Sequence, residues 1–345
     1  MLQTVIFVLL LLLMLAYLSV ANHFNIIDKP NERSSHTSVT IRGGGIIFVV
    51  AIVAWWFLHG FQLPWFFAGF LLISVVSFID DLGHVPNRVR IAAQFLAVVL
   101  LLLELNSSIP TPLVGAPTTD HQLDVLRGWC LHQPPVRDYS FLWLLLSLPV
   151  ILGFINAYNF MDGINGITVV NSLVTIGTIA HLNHTVYLVD PNLFSFTMMA
   201  LLIFGFFNFR KRAACFAGDV GAVSMAFLIT MLLVMLIVHT GNFYYMALVF
   251  VYGVDTVGTI IERLVKRENI FEAHRSHLYQ LMANQSGIPH LMVSSVYGLV
   301  QLAVNVLIIV SIRQDFAPLL IFSLIFLVLV GIFAYAKLKL YKVFG

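Results

Sequence analysis

Long apolar runs separated by short polar clusters recur along the whole chain. A bilayer core is about 30 Å thick, so a helix needs roughly 20 mainly apolar residues to cross it. Eleven segments meet or approach that length, at about 3–21, 44–62, 64–79, 91–105, 139–157, 166–183, 194–209, 220–240, 242–261, 291–312 and 316–336. The third and seventh are the shortest. Backbone groups inside lipid must be satisfied within the segment, which makes helices the expected element. The first run has no Lys or Arg between Met1 and Ala21. It therefore lacks the basic start of a secretory leader and is read as a helix of the mature protein. The predicted fold is all-α, a polytopic integral membrane protein of about eleven transmembrane helices. Residues 1–345 form one membrane domain, with no internal repeat.

The polar connections set the orientation. Lys and Arg favour cytoplasmic loops. With the N-terminus outside and the C-terminus cytoplasmic, fifteen of the 18 basic residues fall inside, leaving Arg127, Arg137 and Arg313 outside. Cys130 is then outside and Cys215 inside, so the two cannot pair. The outer connection 106–138 is proline-containing and aperiodic, and is expected to be an irregular loop. Composition agrees: 60% of residues are hydrophobic and 10% charged, against about 25% charged in a soluble domain. A cytosolic globular enzyme, a disordered chain and a disulfide scaffold are excluded. A net charge of +2 makes no electrostatic case for nucleic acid.

The remaining polar residues gather at the inner ends of the helices. Asp28, Glu32, Arg33 and His36 follow the first run, and Asp80 and Asp81 close the third. Asn156, Asn159 and Asp162 close the fifth, with Asn156 and Asn159 on one helical face and Asp162 continuing their row. Gly218-Asp219-Val220-Gly221 opens the eighth, beside Arg210-Lys211-Arg212. His274, Arg275 and His277 lie between the ninth and tenth. Convergence of such groups on one face marks a candidate active site.

Each cluster also has a plainer reading. Asp80-Asp81 is either a solvated helix end or a pair that holds a cation, since adjacent carboxylates repel unless a cation or proton intervenes. Mg²⁺, bound by one or two carboxylates plus substrate phosphates, answers that need. Asp219 is either an N-cap or a metal ligand, and the basic triplet either topology or a phosphate contact. The histidine cluster suits phosphate recognition better than zinc, because a third soft ligand is absent. Asp255, inside the ninth run, is a functional acid or a buried hydrogen-bonding group, with Thr259 and Arg263 as candidate partners.

Taken in order, these motifs resemble the polyprenyl-phosphate N-acetylhexosamine-1-phosphate transferases of glycosyltransferase family 4. The resemblance rests on Asp28-x-Pro30-x-x-Arg33-x-x-His36, Arg42-Gly43-Gly44-Gly45, Asp80-Asp81, Asn156-x-x-Asn159-x-x-Asp162-Gly163, Gly218-Asp219-x-Gly221 and the loop His274 to Gln280. Val39 and Ile41 stand where the family usually has proline, which should loosen that loop. Asn165 replaces a second acid. The His-Arg-Ser-His form is closer to the branch that initiates O-antigen and lipopolysaccharide than to the peptidoglycan branch, whose triple histidine is missing.

The resemblance implies transfer of a sugar 1-phosphate from UDP-GlcNAc or a related UDP-2-acetamido-6-deoxyhexose to undecaprenyl phosphate, releasing UMP. It places the protein in the bacterial inner membrane with the site facing the cytoplasm. It assigns Asp219 first, and Asp80 with it, to Mg²⁺, with Mn²⁺ as a substitute. Asp80, Asp81, Asp162, Asp219, His274 and His277 form the catalytic set, with Asp80 a candidate base toward the lipid phosphate. Arg33, His36, Arg42, Asn156, Asn159, Lys211 and Arg275 form the substrate-binding set. The diphosphate oxygens fall to His274, Arg275, His277 and Lys211. A homodimer is left open. The alternative is a secondary transporter of an anionic substrate, but transporters place polar groups near the midplane in repeated halves, and here they lie at one edge.

Overall fold

The computed structural model describes residues 1–30, 35, 38–108, 141–269 and 274–344. Ten of the eleven apolar runs each match one helix and the ninth ends in one: α1 (Leu2–His23), α2 (Ile46–Leu58), α3 (Pro64–Leu82), α4 (Asn87–Ser108), α5 (Phe141–Phe160), α6 (Ile167–Val186), α7 (Pro191–Asn208), α8 (Gly218–Thr240), α9 (Phe250–Val265), α10 (His290–Arg313) and α11 (Pro318–Phe344). The protein is an all-α, multi-pass membrane protein. Eight of its helical segments are long and apolar enough to cross a bilayer. Arg33 and His36, the connection 109–140 and Cys130 lie outside the described residues.

Helix α8 is the axis of the bundle. Every residue from Val220 to Leu233 is buried, as expected for a helix apolar on all sides. It packs against α2, α3, α5 and α6. At the other extreme, α11 turns Leu319, Leu320, Leu324, Leu327 and Val328 outward. An apolar face of that size suits lipid, not water.

The ninth run is not one regular helix. A 3₁₀ segment, Phe243–Val249, leads into α9, and the junction frees backbone groups at membrane depth. The buried Gln301 of α10 satisfies two of them: its Oε1 accepts from Val251 N–H at 2.9 Å and its Nε2 donates to Ala247 O at 2.9 Å. Buried backbone irregularity of this kind is tolerated only when it is re-bonded in this way. At the other end of α3, the buried carboxylate of Glu104 accepts from the N–H groups of Trp65 (2.7 Å) and Phe66 (3.1 Å). It caps a helix to which it does not belong.

The polar end of the bundle is knitted together by backbone. Ile27–Asp28 pairs antiparallel with Thr40–Ile41, and Ile41 bridges to Cys215. Gly44 and Gly45 donate to the carbonyls of Phe216 and Ala217 at 2.8 and 3.0 Å. The glycines of the Arg-Gly-Gly-Gly motif are therefore steric. A Cβ on Gly45 would lie 2.2 Å from Gly221 Cα, and one on Gly44 2.7 Å from Cys215 Sγ. Ile41 is strand-paired instead of loosened, while Val39 lies exposed just before the strand. Residues other than proline permit this, because they keep their extended backbone without losing an N–H.

Candidate functional site

The ends of α3, α4 and α8 and the residue after the strand Thr40–Ile41 bring three aspartates and two arginines together. Asp81 is fully enclosed. Its Oδ1 accepts from Asp219 N–H and its Oδ2 from Val220 N–H, both at 2.9 Å. Arg42 Nε sits 2.7 Å from the same Oδ1. Its carboxylate thus caps the N-terminus of α8, where the helix dipole favours negative charge. Gly218, at φ +71°, leaves room for it, since a Cβ there would lie 2.4 Å from Asp81 Oδ2. Asp81 is turned into the scaffold and orients its neighbours.

Asp80, one residue earlier, faces the other way. Its Oδ1 accepts from Val85 N–H at 2.9 Å, and its Oδ2 lies 3.1 Å from Arg90 Nη1. The Asp80 and Asp219 carboxyls lie close enough for each to shift the other's protonation, lowering that of Asp80 and raising that of Asp219. Arg90 Nη2 also reaches Asp219 Oδ2 at 3.1 Å, and Arg42 Nη2 reaches Asp219 Oδ1 at 3.4 Å. Two carboxyls this close require a proton or cation between them. This pair could hold a hard divalent cation completed by phosphate oxygens. Among the described residues, no three His, Cys, Asp or Glu side chains converge as a ready-made metal site.

The charge balance was incompletely legible in the sequence. Arg90 bridges Asp80 and Asp219, yet in the sequence it counts simply as one basic residue of an inner connection. The available signal was its place in the first turn after the Asp-Asp loop. Arg42, expected on substrate, is held by Asp81 and Asp219. Its carbonyl is fixed by the Tyr17 hydroxyl at 2.6 Å.

The loop after α5 forms the next wall. The helix ends at Phe160, so Asp162 leaves the row of Asn156 and Asn159 instead of continuing it. Asn156 is committed to packing: its Nδ2 donates to Gln94 Oε1 of α4 at 2.9 Å and to Leu152 O at 2.8 Å. Asn159 is half-buried. Asp162 accepts from the Thr168 hydroxyl. Buried Asn165 donates to Arg210 O at 2.8 Å and Lys211 O at 3.4 Å. An acid there would set its oxygens against two carbonyls, so the amide suits this position. The Lys211 side chain is exposed, while Arg210 lies over the Phe206 ring, 4.4 Å from its centroid.

Burial pushes the Asp162 carboxyl up to about 6, partly offset by the Thr168 hydroxyl. If the reaction needs this carboxylate, kcat/KM should fall as pH drops through about 6, and a pH–rate profile of the wild type checks it. A profile flat down to pH 5 would remove Asp162 from the required groups. Its contribution to stability has the opposite sign. The folded state keeps a proton that the unfolded chain releases near 3.8, so that contribution is lost as pH rises from about 4 to about 6.

The histidine loop closes the site beside α9 and α10. The Tyr279 hydroxyl donates to Phe160 O at 2.8 Å, against Gly163, whose Cβ would meet that oxygen at 2.2 Å. His274 Nδ1 is 2.9 Å from the Ser276 hydroxyl. Burial, followed by the neighbouring His277, Arg263 and Lys337, lowers the His274 ring to about 4. At neutral pH it is an uncharged hydrogen-bonding group. Arg275 is half-buried in the same loop. Asp255 anchors the loop. Of its two candidate partners Thr259 is one, at 3.3 Å. Arg263 instead turns to Glu268 at 3.0 Å and Asn269 O at 2.7 Å.

An all-helical membrane bundle with an acid–arginine cluster and a histidine loop at one end is the class of protein these features define. Within that class, the chain belongs to glycosyl transferase family 4, whose model matches residues 63–237. That span contains Asp80, Asp81, Arg90, Asn156, Asp162 and Asp219. Arg42 and the histidine loop fall outside it. The chain is 24% identical over 278 residues to the probable undecaprenyl-phosphate N-acetylglucosaminyl 1-phosphate transferase of Bacillus subtilis (strain 168), covering 77% of this chain and 72% of that protein. It is 25% identical over 256 residues to the phospho-N-acetylmuramoyl-pentapeptide-transferase of Shouchella clausii (strain KSM-K16), covering 68% and 70%. A shorter stretch of 87 residues is 42% identical to the enzyme of that name from Streptococcus pyogenes serotype M18 (strain MGAS8232), covering 24% and 25%.

Proposed function

We propose that the chain transfers an N-acetylhexosamine 1-phosphate from a UDP-sugar to undecaprenyl phosphate, releasing UMP, at the cytoplasmic face of the bacterial inner membrane. The observation that carries this reading is the Asp80–Asp219 pair balanced by Arg42 and Arg90 at one edge of the bundle. The names of the two longer-matching relatives support it. UDP-GlcNAc is the preferred donor in this reading, because the Bacillus subtilis relative is named for that sugar.

In the reaction, an oxygen of the lipid phosphate bonds to the sugar-side phosphorus of the donor. The bond between that phosphorus and the bridging oxygen breaks, and the electron pair leaves with UMP. A phosphate monoester has its second pKa near 6 and is mostly dianionic at neutral pH. Asp80 therefore has more to do in positioning than in proton removal.

Two anions must meet, so most of the rate has to come from positioning and charge neutralisation. The hard oxygens of Asp219 and Asp80 fit Mg²⁺, with Mn²⁺ a substitute. Such an ion, when bound, neutralises phosphate charge. Arg42 and Arg90 exchange carboxylate partners for phosphate oxygens as substrate enters. Lys211 and Arg275 add charge at the rim. Asn159 and Asp162 face the nucleotide side, and Asp81 holds Arg42 and the first turn of α8 in register. Fourteen of the described Lys and Arg residues lie toward the polar end, with Arg313 at the other. That split supports a cytoplasmic site.

The test is UMP release by detergent-purified protein given undecaprenyl phosphate, Mg²⁺ and a panel of UDP-N-acetylhexosamines. Release that requires both lipid and metal is expected, with UDP-GlcNAc the fastest donor. No release from folded protein with any donor would refute the reaction and favour the transporter.

A further inference from the structure

Helices α6 and α10 pack tightly at one level and part at another. A Cβ on Gly298 of α10 would lie 2.1 Å from Val170 Cγ1 of α6, so the helices are in close contact there. Gly177, two turns further along α6, has open space where a Cβ would stand. Beside it lies a groove of about 450 Å³, within the range of about 300–1,000 Å³ common to small-ligand sites. Leu173, Leu302, Val306 and Ile309 line it. Leu302 and Val306 are exposed, so the groove opens sideways toward lipid. Its amide and hydroxyl groups are bonded within the protein. Asn305 Nδ2 donates to the Thr178 hydroxyl at 2.9 Å, which donates to Val174 O at 2.6 Å, and Asn305 Oδ1 accepts from Gln301 Nε2 at 2.7 Å.

One end of the groove is different. His181 lines it, one turn after Gly177 on the same face of α6. Its Nε2 lies 3.2 Å from Nη2 of Arg313, the last residue of α10. Arginine only donates, so Nε2 accepts and the other ring nitrogen carries the hydrogen. Arg313 makes no ion pair among the described residues. The helix dipole alone favours a cation at this terminus. It does not account for the reach across to α6, beside an apolar groove.

We propose that this groove binds an anionic phospholipid of the leaflet opposite the active site, with an acyl chain between α6 and α10 and the headgroup phosphate on Arg313 and His181. A chain in the groove gains the packing contacts that a gap between helices forfeits. Phosphate oxygens are acceptors and match the donor fork of arginine. A zwitterionic headgroup brings a cation of its own beside Arg313, which favours the anionic lipid. The site is separate from the reaction proposed above and does not rest on it. His290, the first residue of α10, faces Asn165 N–H at 3.5 Å. Arg313 ends the same helix roughly 35 Å further on, at 1.5 Å per residue.

Full-length protein stripped of lipid in detergent provides the test, by native mass spectrometry and melting curves. Phosphatidylglycerol should bind, raise the melting temperature and outlast phosphatidylcholine on the protein. Arg313→Gln should weaken phosphatidylglycerol by at least about tenfold, the scale of one charge-assisted hydrogen bond, and change phosphatidylcholine little. Gly177→Leu fills the groove and should weaken both lipids. Leucine suits a helix better than glycine, so without lipid this variant should melt no lower than wild type.

Equal retention of the two lipids, or wild-type phosphatidylglycerol binding in either variant, would overturn the proposal. So would an equal melting shift from inorganic phosphate, which would make this a site for a free anion. If Gly177→Leu does not fold, Val306→Trp, which fills the groove from an exposed position on α10, decides in its place.

Discussion

Asp219→Asn is expected to lower UMP release by at least about 10²-fold, the scale on which one preorganised electrostatic contact at a reacting centre is usually felt, with little change in thermal stability. The substitution keeps the shape and one oxygen. It removes the charge that Asp219 shares with Asp80, Arg42 and Arg90. Arg90 would then lean on Asp80, and the carboxylate pair proposed to hold the divalent cation would be halved. Mn²⁺ binding followed by electron paramagnetic resonance provides a readout independent of turnover and should weaken in parallel. Normal turnover in a correctly folded Asp219→Asn protein would sink the metal assignment.

Asp81→Ala should act through stability. Breaking a buried ion pair from one side typically costs about 3–5 kcal/mol. Arg42 keeps a third of its side chain exposed and can recover some water, so the lower end of that range is expected. Two N–H groups at the start of α8 would lose their acceptors at the same time. The measurement is a detergent-solubilised melting curve beside that of Asp80→Asn, which should melt close to wild type while turning over slowly. An Asp81→Ala protein that melts like wild type but is inactive would move Asp81 into the reaction itself.

The two adjacent aspartates show what the sequence could and could not reveal. Their type and position at a membrane edge were legible, because hydrophobic run length locates helix ends and acids there need partners. Their division of labour was not. Successive residues at a helix end point in different directions, and only the arrival of α8, far along the chain, decides which one is enclosed. The same holds for Arg90, whose part depends on a partner 129 positions away, and for Asn156, whose amide pairs with Gln94 across α4 and α5. Gly45 and Gly221 are a point of near-contact between backbones, while Gly44 faces the Cys215 side chain and Gly218 the Asp81 carboxylate, and those neighbours are three-dimensional. Helix existence was readable throughout, since each run is long. Boundaries slipped where polar residues stay helical, as at Asp80, Asp81 and the start of α4.

The capping of α8 by Asp81 also has a consequence for biogenesis. Glu104 can satisfy the start of α3 as soon as α4 emerges, because the two helices are neighbours in the chain. Asp81 must wait for Asp219 and Val220, 138 and 139 residues later. Until then the nascent chain carries a carboxylate at the bilayer edge whose backbone partners have not yet been synthesised. Before α8 is made, Arg42 is the one site partner of Asp81 already present in the nascent chain.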